Sequence, residues 1–172
     1  MTLTVEDGTG YIDSDAYISL EDADTYHSSR GNEAWDEGDE ETKETAIRRA
    51  TTYIDGFYRG KFVGYRVNGR SQGLEWPRNE AYDTEGEWIA NDELPVEIIQ
   101  ATAEAALREL ATPRSLSPDI NTGERITQQT VGPISTTYAD SGSQRTQRTA
   151  IDEILRPLLI NGGSMTQFLL RA

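Results

Sequence analysis

The chain has no cysteine, one histidine, three phenylalanines and two methionines, and its 16 basic residues are outnumbered by 30 acidic ones, a formal charge of -14 over 172 residues. Each shortage excludes something. Without cysteine there is no disulfide, no thiolate nucleophile and no zinc-finger spacing, and the composition fits a reducing compartment. With so few cations, counterion release from phosphates supplies little affinity. A tightly held nucleic acid is therefore disfavoured, although one local basic patch is compatible with the total. No stretch approaches the ~18 apolar residues of a membrane span, and the N-terminal MTLTVEDGTG lacks the basic and apolar regions of a secretory signal. A soluble protein with no membrane partner is the expectation. There is no internal repeat, and the length suits a single domain over 1–172 with a core of its own.

The constellations that carry catalysis are missing too. No GxxxxGK[ST] cradle or GxSxG elbow occurs, and no HxxE, ExxH or DxD-with-glycine spacing gives metal-ligand geometry. The lone His27 lies on a short polar helix beside two serines and reads as a surface residue. The carboxylates fall on expected solvent faces or in loops, with Asp36, Asp39, Glu40 and Glu41 a solvated cap. No catalytic residue, metal or cofactor is assigned, and the chain is not read as an enzyme.

Hydrophobic spacing predicts a mainly α fold, a small bundle of about four helices. Ser19-Leu20-Glu21-Asp22 has the form of a capping box, with Asp22 reaching back to the backbone, and opens a first helix over about Leu20 to Ser29. Gly31 breaks it, and NEAWDEGDEE is a polar connection from which Trp35 folds back onto the core. From Glu40 to Tyr58 the apolar positions Ala46, Ile47, Ala50, Tyr53, Ile54, Phe57 and Tyr58 form an amphipathic stripe. Pro95 opens a further helix with Val96, Ile99, Ala103, Ala106, Leu107 and Leu110 on one face, ended by Pro113. A last helix is expected over about Gln147 to Ile160, with Ile151, Ile154, Leu155, Leu158 and Leu159 on one side and a kink at Pro157.

Three segments stand outside this bundle. Lys61 to Leu94, with four glycines and no sustained period, reads as a long irregular loop. Residues 114–146 turn to Ser, Thr, Gln and Gly, and RITQQTV and ISTTYAD flank Gly132-Pro133. There Ile134, Thr136 and Tyr138 alternate as in a strand. Together with Ile126 and Val131 they outline an extended β-like arm, too polar for a core hairpin, which either stays in solvent or pairs with another subunit. After the Gly162-Gly163 hinge, residues 161–172 carry Met165, Phe168, Leu169, Leu170 and Arg171. Burying each large apolar side chain of that tail is worth about 1.5–3 kcal/mol, so it either folds back or grips a partner.

The one strip resembling a nucleic-acid surface is the glycine-punctuated run with Arg59, Lys61, Arg66 and Arg70, interleaved with Phe62 and Tyr65. Its plain alternative is a loop whose arginines pair with neighbouring acids. The same choice applies to Trp76-Pro77-Arg78. An exposed tryptophan beside an arginine would be a base-stacking platform, and a buried one would anchor the loop, with Arg78 satisfying carbonyls or a carboxylate at its base.

The segments DAYISLEDADTYHSSR (15–30), AIRRATTYIDGFYRGKF (46–62), QGLEWPR (72–78), LPVEIIQATAEAAL (94–107) and VGPISTTYAD (131–140) together resemble the head-to-tail connector, or neck adaptor, proteins of tailed bacteriophages. The same family also looks like one labelled a DnaT-like single-stranded DNA-binding protein. The connector resemblance implies a structural virion protein, assembled in the host cytoplasm and located in the neck. Its copies would form a ring, commonly of twelve, beneath the portal protein. It would link the portal to a tail-side stopper or tail terminator protein and leave a channel through which DNA passes without tight binding. It further implies that Met165 to Ala172 dock on the portal and that the arm bridges subunits. A closed ring needs two different patches on each copy, and an arm plus a helical face supplies them. An acidic duct wall would let DNA slide. The alternative is a replication accessory module that binds single-stranded DNA through the arginine loop and its aromatics.

Overall fold

In this computed structural model, residues 2–117, 128–131, 134–137 and 149–160 are described, the two segments between 128 and 137 by backbone alone. Five α-helices carry the described core, and the strands are short, so the mainly α expectation holds.

Helix α1 spans Leu20–Ser28. Ser19 caps it by accepting the Asp22 N–H at 3.0 Å, but the Asp22 carboxylate accepts the Ser19 hydroxyl at 2.6 Å instead of reaching back to the backbone. The polar connection after Gly31 includes a one-turn helix, α2 (Glu33–Asp36), which swings Trp35 fully into the core. Trp35 Nε1 donates to Asp24 at 2.7 Å, which satisfies its buried polar edge. His27 is buried, contrary to its surface reading. It follows Ala23 by one turn, so the two share the inner face of α1. Its ring lies 4.4 Å from that of Trp35, and its Nδ1 meets the Asn32 side-chain amide at 3.0 Å.

Helix α3 spans Glu40–Tyr58, with Asp39 accepting the Thr42 N–H at 2.8 Å as its N-cap. Helix α4 spans Val96–Ala111 and packs against α3 on one side and α5 on another. Its buried face matches the expected one only in part: Ala103 and Ala106 are buried as expected. Val96 is 55% exposed and Ile99, Leu107 and Leu110 are only partly covered, while Ile98, Ala101, Thr102, Ala105 and Glu109 are buried. Close approach of two neighbours selects the small residues for the contact, and the bulky aliphatics fill its flanks. Glu109 earns its burial by accepting the backbone N–H groups of Arg114 (2.8 Å) and Leu116 (2.9 Å), which closes the chain reversal after α4.

Helix α5 spans Thr149–Leu155 and gives way to a 3-10 turn over Arg156–Leu158 that contains Pro157. Proline cannot donate the next helical hydrogen bond, so the helix ends earlier than its apolar spacing suggests. The chain then pairs with the segment after α3: Val63 N–H donates to the Leu158 carbonyl at 3.0 Å and Ile160 N–H to the Lys61 carbonyl at 2.6 Å.

The long excursion is more ordered than a plain loop. Strands β1 (Tyr65–Arg66) and β2 (Arg78–Asn79) pair antiparallel, as do β3 (Ala81–Tyr82) and β4 (Trp88–Ile89), with a 3-10 turn at Gly69–Ser71 between β1 and β2. In the polar segment, β5 (Gln128–Val131) and β6 (Ile134–Thr137) form an antiparallel ladder with Val131 opposite Ile134 and Gln129 opposite Thr136.

Candidate functional site

The buried aromatics and charges of the excursion meet at the inner face of α3. Positions 47, 51 and 55 follow one another at one-turn spacing, so Asp55 lies on the same face as Ile47 and Thr51 and is buried with them. The Tyr17 hydroxyl donates to Asp55 Oδ1 at 2.5 Å, and the Glu75 backbone N–H donates to Asp55 Oδ2 at 3.1 Å. The Tyr17 oxygen in turn accepts the backbone N–H groups of Glu75 (2.9 Å) and Trp76 (3.1 Å). One tyrosine and one aspartate thereby hold the backbone at the start of the WPR turn. Burial, chiefly, pushes the Asp55 carboxyl up to about 7 and the Tyr17 hydroxyl well above its usual range.

Trp76 is fully buried, its ring edge-on to Phe62 at 5.9 Å, and the Trp76-Pro77 peptide is cis. Its indole N–H has no hydrogen-bond partner among the described residues. Arg78 is buried beside it and uses its whole fork. Nε donates to the Val63 carbonyl at 2.7 Å, one terminal nitrogen to the Gly64 carbonyl at 2.8 Å, and the other to the carbonyl (3.2 Å) and carboxylate (3.0 Å) of Glu75. Gln72 closes the turn from the other side, donating to the carbonyls of Leu74 and Pro77 at 3.0 Å each. Gly64 allows the approach: its φ is +66°, and a Cβ there would stand 2.2 Å from the Asn79 carbonyl oxygen.

The arginine strip converges on the same carboxylate. Arg59 Nε lies 2.9 Å from Glu75 Oε1 and an Arg66 terminal nitrogen lies 3.9 Å from it, while Oε2 is taken by Arg78. Lys61 sits over the Phe57 ring, its Nζ 3.8 Å from the centroid, and Arg70 is exposed on the 3-10 turn. The four cations singled out in the sequence therefore do not form one open patch. Two of them are directed at Glu75, one covers an aromatic ring, and one stands apart.

Sequence reasoning missed Tyr17, Asp55 and Glu75, and placed the carboxylates in solvent. Of these, Asp55 left a signal, a charge at one-turn spacing within the apolar stripe. Glu75 left none, because its three arginine partners come together only when the loop closes. Of the proposed arm, Val131, Ile134 and Thr136 lie on paired strands, and Ile126 and Tyr138 lie outside the described residues, as do Met165, Phe168, Leu169, Leu170 and Arg171 of the tail. Among the described residues no group of three or more His, Cys, Asp or Glu side chains is placed to hold a metal ion, and no helix is long and apolar enough to cross a membrane.

No curated protein and no solved structure matches the chain. A family model does, over residues 1–172: the chain belongs to the family described as "Putative DnaT-like ssDNA binding protein".

Proposed function

We propose that the protein is a structural adaptor that joins protein subunits, in the manner of a bacteriophage head-to-tail connector, and does not grip DNA. The observation that carries this reading is the occupancy of Glu75. The strip with the composition of a nucleic-acid surface has Arg59 and Arg66 turned toward a buried carboxylate of their own chain, with Arg78 buried against it. Arg59 is 69% exposed, but a cation that already has a carboxylate partner in its own chain gains less on meeting a phosphate, and the net charge of -14 repels the rest of the strand. Trp76, the tryptophan next to the arginine strip, is enclosed and offers no face to a base there. In this reading the strands β5 and β6 belong to an arm that bridges neighbouring copies, residues 161–172 dock on the portal protein, and the ring leaves a path for DNA.

The test is assembly on purified portal particles, followed by electron microscopy. Full-length protein is expected to add ring-shaped density, and a chain ending at Gly163 to lose it. Unchanged recruitment of the shortened chain would remove the tail assignment.

The second reading, single-stranded DNA binding, is favoured by the description of the family. It requires a labelled oligo-dT to bind at low micromolar protein with an affinity that falls steeply with salt. Such binding, abolished by joint Arg59→Ala and Arg70→Ala substitution, would replace the adaptor reading.

A further inference from the structure

The β3–β4 hairpin has a surface for which the core has no use. Tyr82 and Trp88 are directly opposed across the antiparallel pair, so their side chains leave the same face, and they are 52% and 61% exposed. Cross-strand neighbours on one face of a hairpin are near enough for a single bound segment to cover both. Both rings lack aromatic and hydrogen-bonding partners among the described residues, in contrast to Trp35 and Trp76, which are wholly buried.

The hairpin is also held in shape before anything binds. Asp83 Oδ1 accepts the N–H groups of Glu85 (2.8 Å) and Glu87 (2.9 Å), and Asp83 N–H donates to the Glu87 carbonyl at 3.0 Å. Thr84 N–H donates to the Pro157 carbonyl at 3.1 Å, which fixes the turn to the 3-10 segment after α5. A rigid aromatic pair loses little entropy on binding, and tryptophan and tyrosine are the side chains that most often dominate interfaces.

The charge around this pair selects the occupant. Residues 79–93 (NEAYDTEGEWIANDE) contain Glu80, Asp83, Glu85, Glu87, Asp92 and Glu93 and no basic residue. Six carboxylates in this run disfavour a nucleic acid, and they equally disfavour a second copy, whose net charge is also -14. An arginine-bearing segment gains twice, from the carboxylates and from guanidinium stacking on the aromatic faces. We propose that the Tyr82–Trp88 face is a docking site for an arginine-rich segment of a different protein. The site shares no residue with the Glu75 cluster and does not depend on the connector reading.

The probe is a capped octapeptide of alternating arginine and serine, titrated at 0.15 M salt into the full-length protein by calorimetry and by tryptophan fluorescence. With Trp35 and Trp76 buried, the fluorescence change reports on Trp88. Saturable binding is expected, weakened about tenfold by Trp88→Ala and weakened also by the double substitution Glu85→Gln with Glu87→Gln, which keeps the aromatic pair. The same peptide with citrulline for arginine is expected not to bind. The proposal is overturned if Trp88→Ala, with an unchanged melting temperature, leaves the affinity unchanged. It is equally overturned if oligo-dT perturbs Trp88 at lower concentration than the peptide does, or if Trp88→Ala abolishes a self-association of the wild-type protein while peptide binding persists.

Discussion

Replacing Asp55 by asparagine isolates the energetic consequence of burying a carboxylate in the clasp at the WPR turn. Its ordinary value of 3.8 is pushed up to about 7 in the folded protein, chiefly by burial. Between these values the native state holds a proton that the unfolded chain has released, so stability must fall as pH rises through the window. Each unit is worth at most about 1.4 kcal/mol, and for these two values the loss between pH 5 and pH 8 comes to about 2.5 kcal/mol. Urea unfolding of the wild type and of Asp55→Asn, measured at each pH unit, gives a difference curve from which the other titrating groups largely cancel. The wild type is expected to lose about 2.5 kcal/mol relative to the variant across that range. A flat difference curve would mean that Asp55 is as well solvated or as well paired when charged as in the unfolded chain. A difference rising with pH would mean that Tyr17 and the Glu75 N–H stabilise the anion beyond the cost of burial.

Three further outcomes follow from the same region and from the α1–α2 contact. Trp76→Ala removes a fully buried ring and is expected to lower unfolding free energy by about 3–5 kcal/mol, read by chemical denaturation; a stable variant would place the ring outside the core. Glu75→Gln leaves the buried Arg78 without its anionic partner and is expected to cost about 3–5 kcal/mol, whereas Arg59→Gln at the exposed end of the network is expected to cost under about 1 kcal/mol. For His27, burial holds the imidazole below its ordinary 6.5, so the stability it contributes as a neutral ring is present above that value and lost as pH falls below it; His27→Gln is expected to flatten the acid limb of the stability profile.

Helix α3 was legible from its first residue to its last, because an apolar stripe, an acidic first turn and a glycine after its end all agree on one segment. Helix α4 was legible as a segment but only in part as a face, with Ala103 and Ala106 buried as expected. Periodicity weights bulky aliphatics, while packing between two neighbours places Ala101, Thr102 and Ala105 at the contact. His27 shows the same limit, since its burial depends on Trp35, which folds back onto the core as expected but whose ring partner the sequence does not mark.

The sequence by itself determined the helical class, the positions of α1, α3 and α4, and the acidic balance, because these depend on local spacing and on summed charge. The tertiary structure alone decided that Arg59, Arg66 and Arg78 meet at Glu75, that Asp55 and Tyr17 hold the turn beneath Trp76, and that Tyr82 and Trp88 share an uncovered face. Such pairings join residues up to 59 positions apart, as between Tyr17 and Trp76. No local preference specifies contacts of that range; they exist once closing the chain has brought the groups together and excluded the water between them.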